Sequence, residues 1–123
     1  MAGKIIADTL EHSTAGSVTT DYVVNGSAKA WTNSGNSANP QDSFNIASGT
    51  DNGTGDYTYS LTNAFSNDDY SQPCSTRVAR GNTRIAMMSS SRLTASVLAV
   101  HTENDASTLI DVGHVLSAFG DLA

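Results

Sequence analysis

Three histidines, twelve carboxylates, one cysteine and 17 serines are the side chains of this 123-residue chain that could act on a substrate. Acyl transfer by serine needs the hydroxyl beside an imidazole that a carboxylate orients, and on one common scaffold the serine sits in a G-x-S-x-G elbow. No such pentapeptide occurs, and with so many serines a chance Ser–His–Asp proximity carries no information. His12 lies in a polar segment with Asp8 and Glu11 close by, a grouping too local and too open to water for acid/base work. His101 and His114 lie in or beside apolar runs, where an imidazole is expected to be a hydrogen-bonded part of the structure. Cys74 follows Pro73 with no activating neighbour in sequence, so it reads as a structural thiol rather than a nucleophile. One cysteine and three histidines do not make a zinc signature.

The stretch Thr50–Asp56, TDNGTGD, sets Asp51, Asn52 and Asp56 among glycines and raises calcium. An EF-hand loop needs oxygens at alternate positions, a glycine at the sixth and a glutamate at the twelfth, and this spacing does not supply them. A hairpin corner is the better account. Asp68-Asp69 reads as a solvated polar turn. No glycine-rich loop follows a strand and opens a helix, so phosphate binding has no support. Asn25-Gly26-Ser27 and Asn52-Gly53-Thr54 fit the glycosylation pattern, which without a secretory signal is coincidence. Trp31, Tyr57, Tyr59 and Tyr70 have rings that could stack on sugars, but Tyr57 and Tyr59 alternate onto one face with Leu61, which favours a core or subunit-contact role. No residue is assigned to catalysis, a cofactor or a metal, no ligand-binding residue is singled out, and the chain is not read as an enzyme.

The elements that hold these side chains are short. Ser, Thr, Asn and Gly make up 51 of the 123 residues, a composition of turns and strands with many corners. The length suits one domain. The net charge of −6 with only six Lys and Arg argues against nucleic-acid binding, which needs cations for phosphate. Residues 1–73 hold two basic and eight acidic side chains, and residues 74–123 four of each. No apolar run is longer than Val97-Leu98-Ala99-Val100, far short of a membrane span. The start MAGKIIADTLEH meets Asp8 before a signal-peptide apolar region could form, so synthesis in a cytoplasm is expected, with assembly into a released particle open.

Strand-like runs recur along the chain: KIIADTL (4–10), DYVV leading into an Asn25-Gly26 hairpin, and SAKAW. DSFNIAS follows with Phe44 and Ile46 on one face, then YTYSL beyond the glycine corner, where Asn52-Gly53 and Gly55 predict a bulged or multi-residue hairpin loop. CSTRVAR and TRIAMM flank a turn signal at Gly81-Asn82, and RLTASVLAVHT completes the set. Leu109, Val112, Leu116 and Phe119 fit a helix face, but Gly113 and the β-branched Ile110, Val112 and Val115 favour strand. The class is all-β: a small antiparallel β-sandwich, jelly-roll-like.

The pieces ADTLEHSTAGSVTTDYVVNGSAKAW, DSFNIASGTDNGTGDYTYSLTNAFSNDDY and the terminal AFGDLA resemble a β module of tailed-bacteriophage virion proteins, found at the C-terminal ends of tail-fibre-like proteins of phages of aquatic bacteria. The resemblance is strongest in residues 7–31 and 42–70 and weakest in 74–107. It has no catalytic motif to carry over. It implies a virion structural protein: a tail-fibre-like appendage, homotrimeric, with binding to a host-surface glycan through aromatic and Asn/Asp residues at loop tips. The alternatives are a capsid decoration protein and, from another class, a free carbohydrate-binding module. A short polar chain buries limited apolar area alone, which makes subunit contact between identical copies physically reasonable. Residues 1–20 are expected to form an N-terminal strand or arm for docking or subunit contact, and residues 21–123 a single sandwich domain. The expected partners are copies of itself and other virion proteins, with no nucleic acid and no membrane insertion.

Overall fold

The computed structural model describes residues 3–77 and 83–123. Along them lie β1 (Thr9–His12), β2 (Gly16–Thr19), α1 (Thr20–Gly26), β3 (Ala30–Ser34), β4 (Pro40–Phe44), β5 (Ile46–Gly53), β6 (Asp56–Leu61), β7 (Cys74–Thr76), β8 (Arg84–Met88), β9 (Val97–Asn104) and β10 (His114–Ala118). Every ladder is antiparallel. Strands β3 to β10 form two four-stranded sheets, ordered β4-β3-β10-β7 and β5-β6-β9-β8, while β1 and β2 make a separate hairpin. This is the small antiparallel β-sandwich that the composition and alternation predict.

Period-two alternation decides which side chains meet between the sheets. Ala30, Leu116 and Ala118 come inward from the first sheet, and Tyr57, Tyr59, Leu98 and Val100 from the second, into one core that Phe65 and Tyr70 close. Burying each large apolar side chain contributes about 1.5–3 kcal/mol. Two polar members of this core, Tyr59 and His114, are partnered across it. The Tyr59 hydroxyl lies 2.6 Å from His114 Nε2, and His114 Nδ1 lies 3.0 Å from the Val112 carbonyl oxygen. With the proton on Nδ1, both bonds are satisfied at once. Tyr57 stacks on the same imidazole at 4.7 Å. His114 is thus the hydrogen-bonded structural histidine that its apolar setting predicts.

The glycine corner is a hairpin joining β5 to β6, with a register shift between Asp51 and Gly53. Gly55 takes φ +67, and a Cβ there would come within 2.5 Å of the Thr102 carbonyl oxygen. Asp51 Oδ1 accepts from the Gly53 amide and Asn52 donates to Thr58 Oγ1, so the polar side chains of TDNGTGD close the turn themselves. From outside, Asp111 Oδ1 accepts the Gly55 amide at 2.7 Å and the Tyr57 hydroxyl at 3.0 Å. Strand rather than helix also holds for the last segment, over His114–Ala118, where β10 pairs with both β3 and β7; Ile110 and Val112 precede it.

Three sequence expectations are corrected. DYVV is not a strand and Asn25-Gly26 is not a hairpin turn, because residues 20–26 form α1. A strand needs a partner edge; beyond Thr19 the ladder with β1 is used up, and a helix satisfies its backbone locally. Thr19 is extended at the N-cap position and Asp21 sits in the first turn, where a carboxylate suits the helix dipole. KIIADTL becomes strand only from Thr9, leaving Ile5 and Ile6 in solvent. Phe44 and Ile46 do not share a face, since β4 and β5 belong to different sheets and the chain crosses between them at Asn45, φ +59. The Asn45 side chain pins that crossing by donating to the carbonyls of Lys29 (3.0 Å) and Asn63 (2.9 Å) and accepting from the Asn63 amide (2.7 Å). The turn signal at Gly81-Asn82 lies outside the described residues; its flanks, β7 and β8, run in opposite sheets.

Candidate functional site

The outer face of the β4-β3-β10-β7 sheet collects the side chains best suited to hold a ligand. In β3, Ala30, Thr32 and Ser34 are buried, which turns Trp31 and Asn33 outward. Trp31 is the register partner of Phe44 on β4, and Asn33 that of Asp42. Phe44 is 55% exposed and Trp31 36%. Directly opposed residues of a ladder place their Cβ atoms about 4.5–5.5 Å apart, so the two rings form one aromatic patch. On the far side, Ser117 continues the Trp31 row and Val115 the Asn33 row. A shallow hollow lined by Pro73, Ser75, Val115 and Ser117 extends the same face to the β7 edge.

A bulge sets the polar half of this surface. The register shifts between Asn33 and Ser34, so that Gln41 is the extra residue on β4, between the partners of those two positions. Arg77, which follows β7, donates through Nη1 to Asn33 Oδ1 at 2.5 Å and to Gln41 Oε1 at 2.7 Å. These bonds turn both side-chain oxygens toward Arg77, and among the described residues the two NH2 groups donate to no partner. Among the described residues no carboxylate lies within ion-pair reach of the Arg77 guanidinium. Asp42 is the acid of this face, and its Oδ1 accepts the Ser43 amide at 2.9 Å.

Titratable groups gather on the other sheet, in a cleft of about 410 Å³ lined by Asp56, Met88, Ser89, Ser90, Ser91, His101, Glu103 and Leu109. Asp56 Oδ2 meets Arg92 Nε at 2.9 Å, and Glu103 Oε1 lies 3.5 Å from His101 Nε2. Each carboxylate therefore faces a cationic or titratable nitrogen rather than the other carboxylate. Asp56 Oδ1 is buried and without a hydrogen-bond partner among the described residues. No cluster of three His, Cys, Asp or Glu that could hold a metal occurs among the described residues.

A third surface lies off the sandwich. Between residues 3 and 27 no residue is buried. Ile5, Ile6, Ala7, Leu10, Val23 and Val24 line a groove where α1 lies beside the β1–β2 hairpin, with Thr20 donating its amide to Asp8 O and its hydroxyl to Ala7 O. Ile5 is 92% exposed, and Tyr22 and Val18 add to the apolar surface of this arm.

Of the four rings the sequence offers as sugar stackers, Tyr57, Tyr59 and Tyr70 are buried. Burial pushes the Tyr59 hydroxyl up to about 12 and moves those of Tyr57 and Tyr70 upward too. Trp31 alone of the four is open, and its companion Phe44 escapes sequence reasoning because period two joins it to Ile46. The signal lay in Asn45, a residue that tolerates positive φ, set between two apolar neighbours. Cys74 is half-buried against the core, and burial raises its thiol pKa, which disfavours the reactive thiolate. His12 is exposed, and its Nδ1 accepts the Ala15 amide at 3.1 Å within the β1–β2 turn. No helix of the described residues is long and apolar enough to cross a membrane.

Comparison with family models, with curated proteins and with solved structures gives no match for this chain.

Proposed function

We propose that this chain is a structural protein of a tailed-bacteriophage virion, a tail-fibre-like appendage that assembles as a homotrimer and meets the host cell surface. The observation that carries the reading is the arm of residues 3–27. It presents Ile5, Ile6, Leu10, Tyr22, Val23 and Val24 to solvent beside a sandwich whose own core is already filled. A contiguous apolar surface of this kind is the mark of an interface, because leaving it wet forfeits about 25 cal/mol per Å². In this reading, arms of identical copies, or an arm and another virion protein, cover one another while the sandwiches point outward. The sequence resemblance supplies the virion context. The outward-facing Trp31–Phe44 patch is available for host contact.

Mass spectrometry of purified particles is the test. The chain should be a particle component, and replacing Ile5 and Ile6 together by Asn should remove it from particles while leaving its β-sheet circular dichroism unchanged. A few tens of copies per particle fits a tail appendage, whereas hundreds would point to capsid decoration instead. Absence from particles overturns the reading and leaves a free carbohydrate-binding module as the better account.

A further inference from the structure

We infer that the outer face of the β4-β3-β10-β7 sheet binds an acidic polysaccharide, with pyranose rings on Trp31 and Phe44 and a sugar carboxylate on Arg77. This deepens the appendage reading by naming what the displayed face takes, and it is tested on the isolated protein, independently of particle composition.

Three features of the face point to this ligand. Its aromatic pair is exposed although both residues belong to strands, where a ring gains more by turning inward, and alternation leaves Phe44 55% and Trp31 36% exposed. Exposed rings offer flat apolar surfaces that match the C–H faces of a pyranose. Two residues further along β3, about 7 Å away at ~3.3 Å per residue, stands the polar group of Asn33, Gln41 and Arg77. Rings and polar groups thus follow one another along the strand, as successive units of an extended glycan would require.

The charge of the face selects the acid. This chain has net charge −6, yet Arg77 is fixed by two neutral amide oxygens and by none of the twelve carboxylates. Nη1 is committed to Asn33 and Gln41, and among the described residues Nε–H and the Nη2 hydrogens have no hydrogen-bond partner. That edge is the fork that takes a carboxylate through two parallel hydrogen bonds. The NH2 groups of Asn33 and Gln41 donate beside it, and Asp42, across the ladder from Asn33, accepts a ring hydroxyl. A neutral sugar would use the rings and leave the guanidinium unanswered.

The experiment is calorimetry of the full chain with hexagalacturonate, its methyl ester as the neutral counterpart, and the variants Phe44→Ala and Arg77→Gln. Hexagalacturonate should bind, and the ester about tenfold or more weaker. Binding should weaken several-fold as salt rises from about 0.05 to about 0.5 M, since exposed charge pairs are screened. Each variant should lose about tenfold or more in affinity with its melting temperature unchanged, Phe44 and Arg77 both being exposed. Equal binding of acid and ester overturns the carboxylate assignment. No binding at millimolar ligand, or unchanged binding by both variants, overturns the site. Concentration-dependent self-association abolished by Phe44→Ala would show that a second copy covers this face, and overturns it as well. Failure here with the chain still present in particles leaves the appendage reading standing.

Discussion

Asn45 is one residue on which two sheets depend. It holds φ +59, a conformation that costs an L side chain about 1–2 kcal/mol, and its side-chain amide makes four bonds that join the ends of β3, β5 and β6. Asn45→Ala removes the bonds and keeps the strain, and should cost about 2–4 kcal/mol by denaturant unfolding. Asn45→Gly relieves the strain and should cost about 1 kcal/mol less. Equal losses would show that the bonds alone matter. His114 gives the molecule a pH dependence of definite sign. Burial lowers its pKa below the ordinary 6.5, against a smaller upward pull from the Val112 carbonyl. Below pH 6.5 the unfolded chain takes up a proton that the folded one refuses. The stability from the neutral imidazole is therefore fully present above that pH and is lost as pH falls toward the folded pKa, at up to about 1.4 kcal/mol per pH unit. Melting curves from pH 7.5 to 5 should show this slope, and His114→Gln should flatten it while lowering stability throughout.

At the scale of elements, the β5–β6 hairpin is the best determined unit. Its corner is closed by its own Asp51 and Asn52, and Asp111 holds it from outside. On the β5 arm of this hairpin, Gly49 lies against the Ala38 carbonyl oxygen, which a Cβ would approach to 2.0 Å. Ala38 lies in the connection between β3 and β4, so this contact packs that loop against the other sheet. Gly49→Ala should destabilise by about 1–3 kcal/mol, the range for overpacking. Gly53→Ala, where a Cβ would meet open space but φ is +135, should act through backbone strain alone. A larger loss at Gly53 than at Gly49 in thermal melts would contradict the packing account. The strands themselves were legible: YTYSL, RLTASVLAVHT and SAKAW all contain strands, the first two with Tyr57, Tyr59, Leu98 and Val100 inward and the third with Trp31 outward. The helix was not, because α1 is seven residues long and β-branched at Val23 and Val24, too short for a periodic signal to form.

For the whole molecule, the division that matters is between a sandwich that satisfies itself and an arm that does not. Sedimentation of the wild type should give a trimer at micromolar concentration, and the Ile5→Asn, Ile6→Asn double variant should sediment as a monomer with the sandwich melting transition retained. A wild-type monomer with a stable arm would remove subunit contact as the reason for the exposed isoleucines. The Trp31–Phe44 face is the other surface of interest, and in the proposed reading the arm serves assembly and this face recognition.

The amino-acid order alone was enough for the all-β class, the glycine hairpin and the inward tyrosines, because alternation and turn chemistry are local and act within a few residues. It was enough too for the structural role of His114, since an imidazole among apolar strand residues must find its partners inside. Only tertiary structure decided which strand joined which sheet. The crossing at Asn45 depends on the carbonyls of Lys29 and Asn63, 16 and 18 residues away, and it alone turns Phe44 outward to Trp31. Arg77 likewise acquires its place from Asn33 and Gln41, 44 and 36 residues distant. A candidate binding face assembled from such separations has no local pattern, since the contacts that build it exist only once both sheets have formed.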